Sequence, residues 1–236
     1  MASQRGGAIC DILGAIGSGS LKRSALHPVF LLRSALLCVR SYPATLLPFV
    51  LVALLMALLA GLGFAEGLTS VALSCALSWQ ASAWAAQAFA AGAWQSSGGQ
   101  PVPLTAVWRS GLKLQMPVLV ASMWLMLLMV LGIIGMIVGS LLGVGLGMWV
   151  LAVAALEGLK GRKMVDRAWQ LSGLSGIAWA VAITAVSLLV ASYLILALQQ
   201  LMGPSAALLY PPLTMMIALP LMMAALLERR SASPIA

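Results

Sequence analysis

Long apolar stretches alternate along this chain with short polar segments. Residues 114–156 and 168–227 contain no charged side chain, while EGLKGRKMVDRAWQLS between them, Glu157–Ser172, carries Glu157, Lys160, Arg162, Lys163, Asp166 and Arg167. Apolar flanks of that length belong in lipid, and the charged segment belongs in water or among headgroups. The pattern predicts membrane spans at about 44–63, 68–90, 116–135, 139–157, 177–198 and 208–227. The uncharged run 116–156 would make a single helix of about 60 Å, twice the ~30 Å hydrocarbon core. Lys113 and Lys160 mark both of its ends as basic, which demands an even number of crossings and hence a turn near Gly135–Gly143. The fold class expected is all-α: a polytopic integral membrane protein with six transmembrane helices in three hairpins.

Short amphipathic helices are expected to lead into the odd spans. From Pro28, a residue tolerated in a first helical turn, Arg33 and Arg40 lie seven apart and share one face. Arg109 and Lys113 stand at i, i+4 against Leu104, Val107, Trp108 and Leu112, and Met164, Val165, Ala168, Trp169 and Ser172 recur at helical spacing. Each of the three is read as lying in the membrane interface. Leu32-Arg33-Ser34-Ala35-Leu36, Trp108-Arg109-Ser110-Gly111-Leu112 and Arg167-Ala168-Trp169-Gln170-Leu171 make a weak internal repeat. The domain organisation is a cytoplasmic tail over 1–27, a membrane domain over 28–230 and a second cytoplasmic tail over 231–236.

The second span is the least apolar. Ser70, Ser74, Ser78 and Ser82 recur every fourth residue and form a stripe, accompanied by Gln80 and Gln87. Two readings are open, a polar path through the bundle or close packing through small residues with hydroxyl bonds across the contact. Packing is favoured because no charged residue completes a path. Gly135, Gly139, Gly143 and Gly147 repeat likewise, as helix packing or as the turn itself. Pro211, Pro212 and Pro220 are expected to kink or delay the last span. Trp149, Trp169 and Trp179 are expected to anchor at the interface.

Composition agrees with a membrane domain: 62% of the residues are hydrophobic and 8% charged, against about a quarter charged in soluble domains. The net charge of +8 follows from the distribution of basic residues around the spans, not from nucleic-acid binding. Arg5, Lys22, Arg23, Arg33 and Arg40 precede the first span, and Arg109 and Lys113 separate the second and third. Lys160, Arg162, Lys163 and Arg167 separate the fourth and fifth, and Arg229 and Arg230 follow the sixth. All lie on one side, with Glu66 alone on the other. The positive-inside rule then places both termini in the cytoplasm. Cys10, Cys38 and Cys75 have no metal-ligand spacing. Asp11 interrupts AICDILGAIG, so no cleavable signal is expected.

No catalytic, metal or cofactor-binding residue is assigned. His27, the one histidine, precedes a proline on the cytoplasmic side, and no nucleophile–base pair, HExxH or Walker pattern is present. Glu157-Gly158, Gly161 and Trp169-Gln170-Leu171-Ser172 resemble the membrane domain found with some glycerophosphoryl diester phosphodiesterases and related six-helix bacterial membrane families. In that domain a span ends in Glu-Gly and a short helix ends in Trp-x-Leu-Ser/Thr. The resemblance covers about residues 28–227 and implies the six-helix fold; this chain has Ala168 where the usual serine follows arginine, and no phosphodiesterase barrel. Glu157, Gly158, Trp169 and Ser172 are the candidate structural latch, with Glu157 expected to bind the loop backbone, Lys160 or Arg162. Arg33, Arg40, Arg109, Lys113, Lys160, Arg162, Lys163 and Arg167 are candidate contacts for anionic lipid. The function expected is a non-enzymatic accessory or scaffold protein engaging anionic lipids, a membrane protein partner or a second copy of itself. A permease-like transport subunit and a small subunit of a larger membrane complex are the alternatives.

Overall fold

Helices occupy every apolar stretch and all three lead-in segments. The structure, a computed structural model, describes residues 28–63, 68–134, 136–159 and 161–232. The expectations for tail 1–27, His27, Glu66, Gly135, Lys160 and residues 233–236 lie outside these. In chain order the helices are α1 (Pro28–Ser41), α2 (Leu47–Gly61), α3 (Leu68–Ser96), α4 (Leu104–Lys113), α5 (Gln115–Ile134), α6 (Met136–Glu157), α7 (Arg162–Met202) and α8 (Tyr210–Ala232). Tight 3₁₀ turns occupy Pro43–Thr45 and Gly203–Leu209, and no strand occurs among the described residues.

Among the described residues two helical segments, Arg162–Met202 and Ser205–Arg229, are long and apolar enough to cross a membrane. A third crossing results if α4 and Gln115–Leu127, bent by 53° at their junction, form one broken span. Length and apolarity alone therefore give fewer crossings than the six expected. The 15 residues of α2 rise only about 22 Å, short of a ~30 Å core. At 29 residues α3 is long enough, but its serines and glutamines lower its apolarity. Large apolar side chains remain exposed along α2 (Leu51, Leu54, Leu58) and along α7 (Leu189, Tyr193, Leu196). Continuous apolar surface of this kind marks a membrane or protein contact, and it makes this a membrane-associated helical protein.

The helix that carries the serine stripe is central to the bundle. α3 packs against α1, α2, α4, α5, α6 and α8, and from Ala81 to Ala93 every residue except Trp84 is buried. Its small side chains let neighbouring backbones come close. Gly92 is the tightest of these approaches: a Cβ there would lie 2.3 Å from the Cys38 carbonyl oxygen of α1. α6 is enclosed in the same way from Gly147 to Leu156. A Cβ on Gly147 would meet Leu125 at 2.1 Å and one on Gly145 would meet Ile177 at 2.7 Å, so glycine spacing on α6 serves helix packing. Trp149 corrects an expectation, because it is not an interface anchor. Its ring is fully buried and its Nε1 donates to the Gly176 carbonyl of α7 at 2.9 Å.

The lead-in helix and span expected over 163–198 form one element, α7, broken at one residue. Gly173 adopts φ 53°, ψ −175°, a region essentially reserved for glycine, and space around its missing side chain is open. The obstacle to any other residue is therefore conformational. Gly173→Ala is expected to cost about 1–3 kcal/mol, read by thermal unfolding in detergent, and to separate 162–172 from the bundle as the break straightens. α8 begins with Pro211 and Pro212 in its first turn and carries Pro220 within it.

Candidate functional site

One end of the bundle is polar and tied together by contacts between distant helices. Gln87 Nε2 of α3 donates to the Ala155 carbonyl at 3.1 Å, satisfying one of the last four acceptors of α6, which have no donor within their own helix. Arg229 Nη2 of α8 donates to Ser175 Oγ of α7 at 2.8 Å. Gly111 of α4 lies beneath Trp84 of α3, whose ring stacks on Trp108 at 5.0 Å and donates through Nε1 to the Trp108 carbonyl at 3.2 Å. The far end is joined by other contacts: Ser74 Oγ donates to the Leu208 carbonyl at 2.7 Å, and Met56 packs with Leu208 and Leu209. The described charged residues all lie on α1, on α4, or on the ends of α6, α7 and α8 that meet at the polar end.

Glu157 closes α6 at this end, and its carboxylate Oε2 stands 3.4 Å from Arg167 Nε, with side chains only 12% and 22% exposed respectively. This ion pair joins the end of α6 to the following helix; Lys160, an expected partner, lies outside the described residues. Helical spacing explains the pairing. Arg167 and buried Met164, Ala168 and Leu171 lie toward the bundle, while Arg162, 93% exposed, pairs outward with Asp166 at 3.6 Å and contributes little in water. Arg167, named among the lipid contacts, is turned toward Glu157. Gly158 belongs to the latch: φ is +68°, and a Cβ would press on Leu114 at 2.8 Å. Ser172 is buried, with Oγ donating to the Trp169 carbonyl at 3.4 Å. The Trp169 ring is exposed, and its carbonyl is the acceptor for Ser172.

Arg33, Arg40, Arg109, Lys113, Arg162 and Lys163 are all exposed, and the faces beside them are apolar. With about 100° between successive residues, each lead-in helix has three sectors in the same rotational order. On α4 these are buried Val107 and Gly111, then exposed Leu104, Trp108 and Leu112, then Arg109 and Lys113. On 162–172 they are Met164 and Ala168, then Val165 and Trp169, then Asp166 and Lys163. On α1 they are Leu31, Ala35 and Cys38, then Leu32, Leu36 and Val29, then Arg40 and Arg33. Sequence spacing revealed the amphipathicity but not which apolar side chains would face the bundle and which, such as Leu36, Trp108 and Trp169, would stay outside. Water would strand those apolar groups and hydrocarbon would strand the cations; a headgroup–acyl boundary satisfies both.

The serine stripe of α3 lies inside the bundle. Ser74, Ser78 and Ser82 are buried; Ser78 Oγ donates to the Ser74 carbonyl at 2.7 Å and Ser82 Oγ to the Trp79 carbonyl. Ser70, nearer the helix start, is half-buried. Buried hydroxyls with backbone partners fit a dry helix contact. Cys38 is buried as well, and burial pushes its thiol pKa up, opposed more weakly by the Ser96 hydroxyl. Among the described residues no three His, Cys, Asp or Glu side chains converge as metal ligands would.

Comparison with protein-family models, curated proteins and solved structures finds no match.

Proposed function

We propose that this chain is a non-enzymatic integral membrane protein of six spans, built as three hairpins, whose basic face engages anionic lipid in the cytoplasmic leaflet of a bacterial inner membrane. It would act there as an accessory or scaffold protein. The observation that carries this reading is the shared order of sectors on α1, α4 and 162–172, which turns apolar groups and cations toward one boundary on all three helices. Each basic residue near anionic headgroups contributes about 1 kcal/mol. The resemblance to a domain accompanying a phospholipid-related hydrolase points the same way, by analogy. The test is lipid analysis of the protein extracted in mild detergent. Enrichment of anionic over zwitterionic lipid is expected, falling in the variant Arg109→Gln/Lys113→Gln/Arg162→Gln/Lys163→Gln. Equal recovery of both lipid classes by the unaltered protein would refute the reading.

A permease-like subunit conducting along the serine stripe makes the opposite prediction for α3. Ser74→Cys and Ser78→Cys, in a background lacking native cysteines, are expected to resist a membrane-impermeant thiol reagent in intact membranes and to react after denaturation. Rapid labelling before denaturation would favour transport.

A further inference from the structure

The exposed face of α1 combines apolar residues with two arginines. Val29, Leu32, Arg33, Leu36, Leu37 and Arg40 line it. Arg33 and Arg40 are seven residues apart, so they fall within about 20° of one another around the helix and about 10 Å apart along it. They stand opposite the buried Leu31, Ala35 and Cys38. Val29 and Leu36, 65% and 60% exposed, lie beside this pair of cations, and α1 contains no acidic residue.

We infer that this face of α1 binds one anionic phospholipid carrying two phosphates, of the diphosphatidylglycerol class. The inference rests on the lipid-engaging reading above and specifies its ligand. The two cations stand about 10 Å apart along the helix, so a lipid with two phosphates can engage both at once. Two phosphates joined through a glycerol place one at each arginine, with acyl chains descending over Leu32, Leu36 and Val29. Arginine binds phosphate oxygens through paired N–H donors, and basic sites on the cytoplasmic side of membrane helices suit such headgroups. The acyl chains of a lipid held there would lie along the exposed apolar residues and continue into the bilayer. A second copy of the protein is a poorer occupant. A two-fold contact through this face would bring Arg33 and Arg40 against their own copies, with no carboxylate on either α1 to offset the repulsion.

The experiment titrates the full chain in detergent with diphosphatidylglycerol, phosphatidylglycerol or phosphatidylcholine at equal total phosphate, counting bound lipid by native mass spectrometry. One diphosphatidylglycerol per chain is expected, held at least tenfold more tightly than phosphatidylglycerol. Arg33→Gln and Arg40→Gln are each expected to weaken it about fivefold, and the double variant to lose the selectivity. Arg109→Gln/Lys113→Gln should leave that selectivity intact. Selectivity retained by the Arg33→Gln/Arg40→Gln variant overturns the site. Equal binding of the two anionic lipids, both above phosphatidylcholine, also overturns it while leaving the broader lipid reading standing. No preference for either over phosphatidylcholine removes both. A dimer that excludes lipid and dissociates in the double variant would replace the lipid with a second copy. All of these substitutions are on exposed side chains, so folding is not at stake.

Discussion

Gly92→Leu is expected to detach α1 from the bundle. The clash begins at Cβ, which would stand 2.3 Å from the Cys38 carbonyl oxygen and 3.2 Å from Tyr42 Cβ. The first of these neighbours is backbone, and relief requires the whole of α1 to move. Overpacking typically costs 1–3 kcal/mol; Gly92→Ala is expected to cost about 2 kcal/mol, and leucine more than about 3 kcal/mol because its branches add to the same clash. Cys38 supplies a local readout. In the unaltered protein its thiol is enclosed and burial holds its pKa above the ordinary value, so both access and thiolate fraction are low near neutral pH. Once α1 moves away, the pKa falls back toward the ordinary value and the thiol is uncovered. Maleimide labelling of Cys38 should therefore accelerate at neutral pH in Gly92→Leu and remain slow in the parent protein. Unchanged labelling with unchanged thermal unfolding would show that α1 does not dock on Gly92.

The second large effect concerns the pair at the start of α7. Removing either partner leaves a charge in a site that is mostly out of water, and breaking such a pair costs 3–5 kcal/mol when burial is complete. With Glu157 12% and Arg167 22% exposed, the expected loss is about 3 kcal/mol for Glu157→Ala or Arg167→Ala. The double variant Glu157→Leu/Arg167→Leu should recover much of that loss, because neither charge is then stranded and apolar side chains fill the contact. The cycle of single and double variants, followed by thermal unfolding in detergent, measures the coupling. Additive losses would mean that the two residues act separately. Gly173→Ala should combine with Glu157→Ala less than additively, since both release 162–172 from the same contact.

How far these features could be read from sequence varied with the distance over which each is decided. Lead-in helices at 28–41, 104–113 and 162–172 were legible because an amphipathic period and a nearby Pro or Gly are local signals. The break at Gly173 was not, since nothing in Leu171–Leu174 separates a glycine within a helix from one at φ 53°. The position of α3 was legible only in part. The run AFAAGA, 88–93, with no large side chain except Phe89, signals close packing, but the polar stripe made the same helix a candidate path. The carbonyls that accept from Ser74, Gln87 and Trp149 belong to Leu208, Ala155 and Gly176, each remote in the chain. No spacing rule could supply those partners.

By itself the sequence determined the solvent of each segment and therefore the class of protein. Composition averaged over twenty residues decides between water and lipid, and that average needs no knowledge of neighbours. It also determined that the basic residues fall between alternate apolar stretches. Tertiary structure alone decided which side of each helix meets protein. It placed polar α3 at the centre and set Trp149 in the core. It also turned Arg167 toward Glu157 while Arg162 stayed outside. The reason is that hydrogen bonds and ion pairs are satisfied across helices within about 3 Å, a scale at which the identity of the neighbour, not the average of the segment, sets the energy.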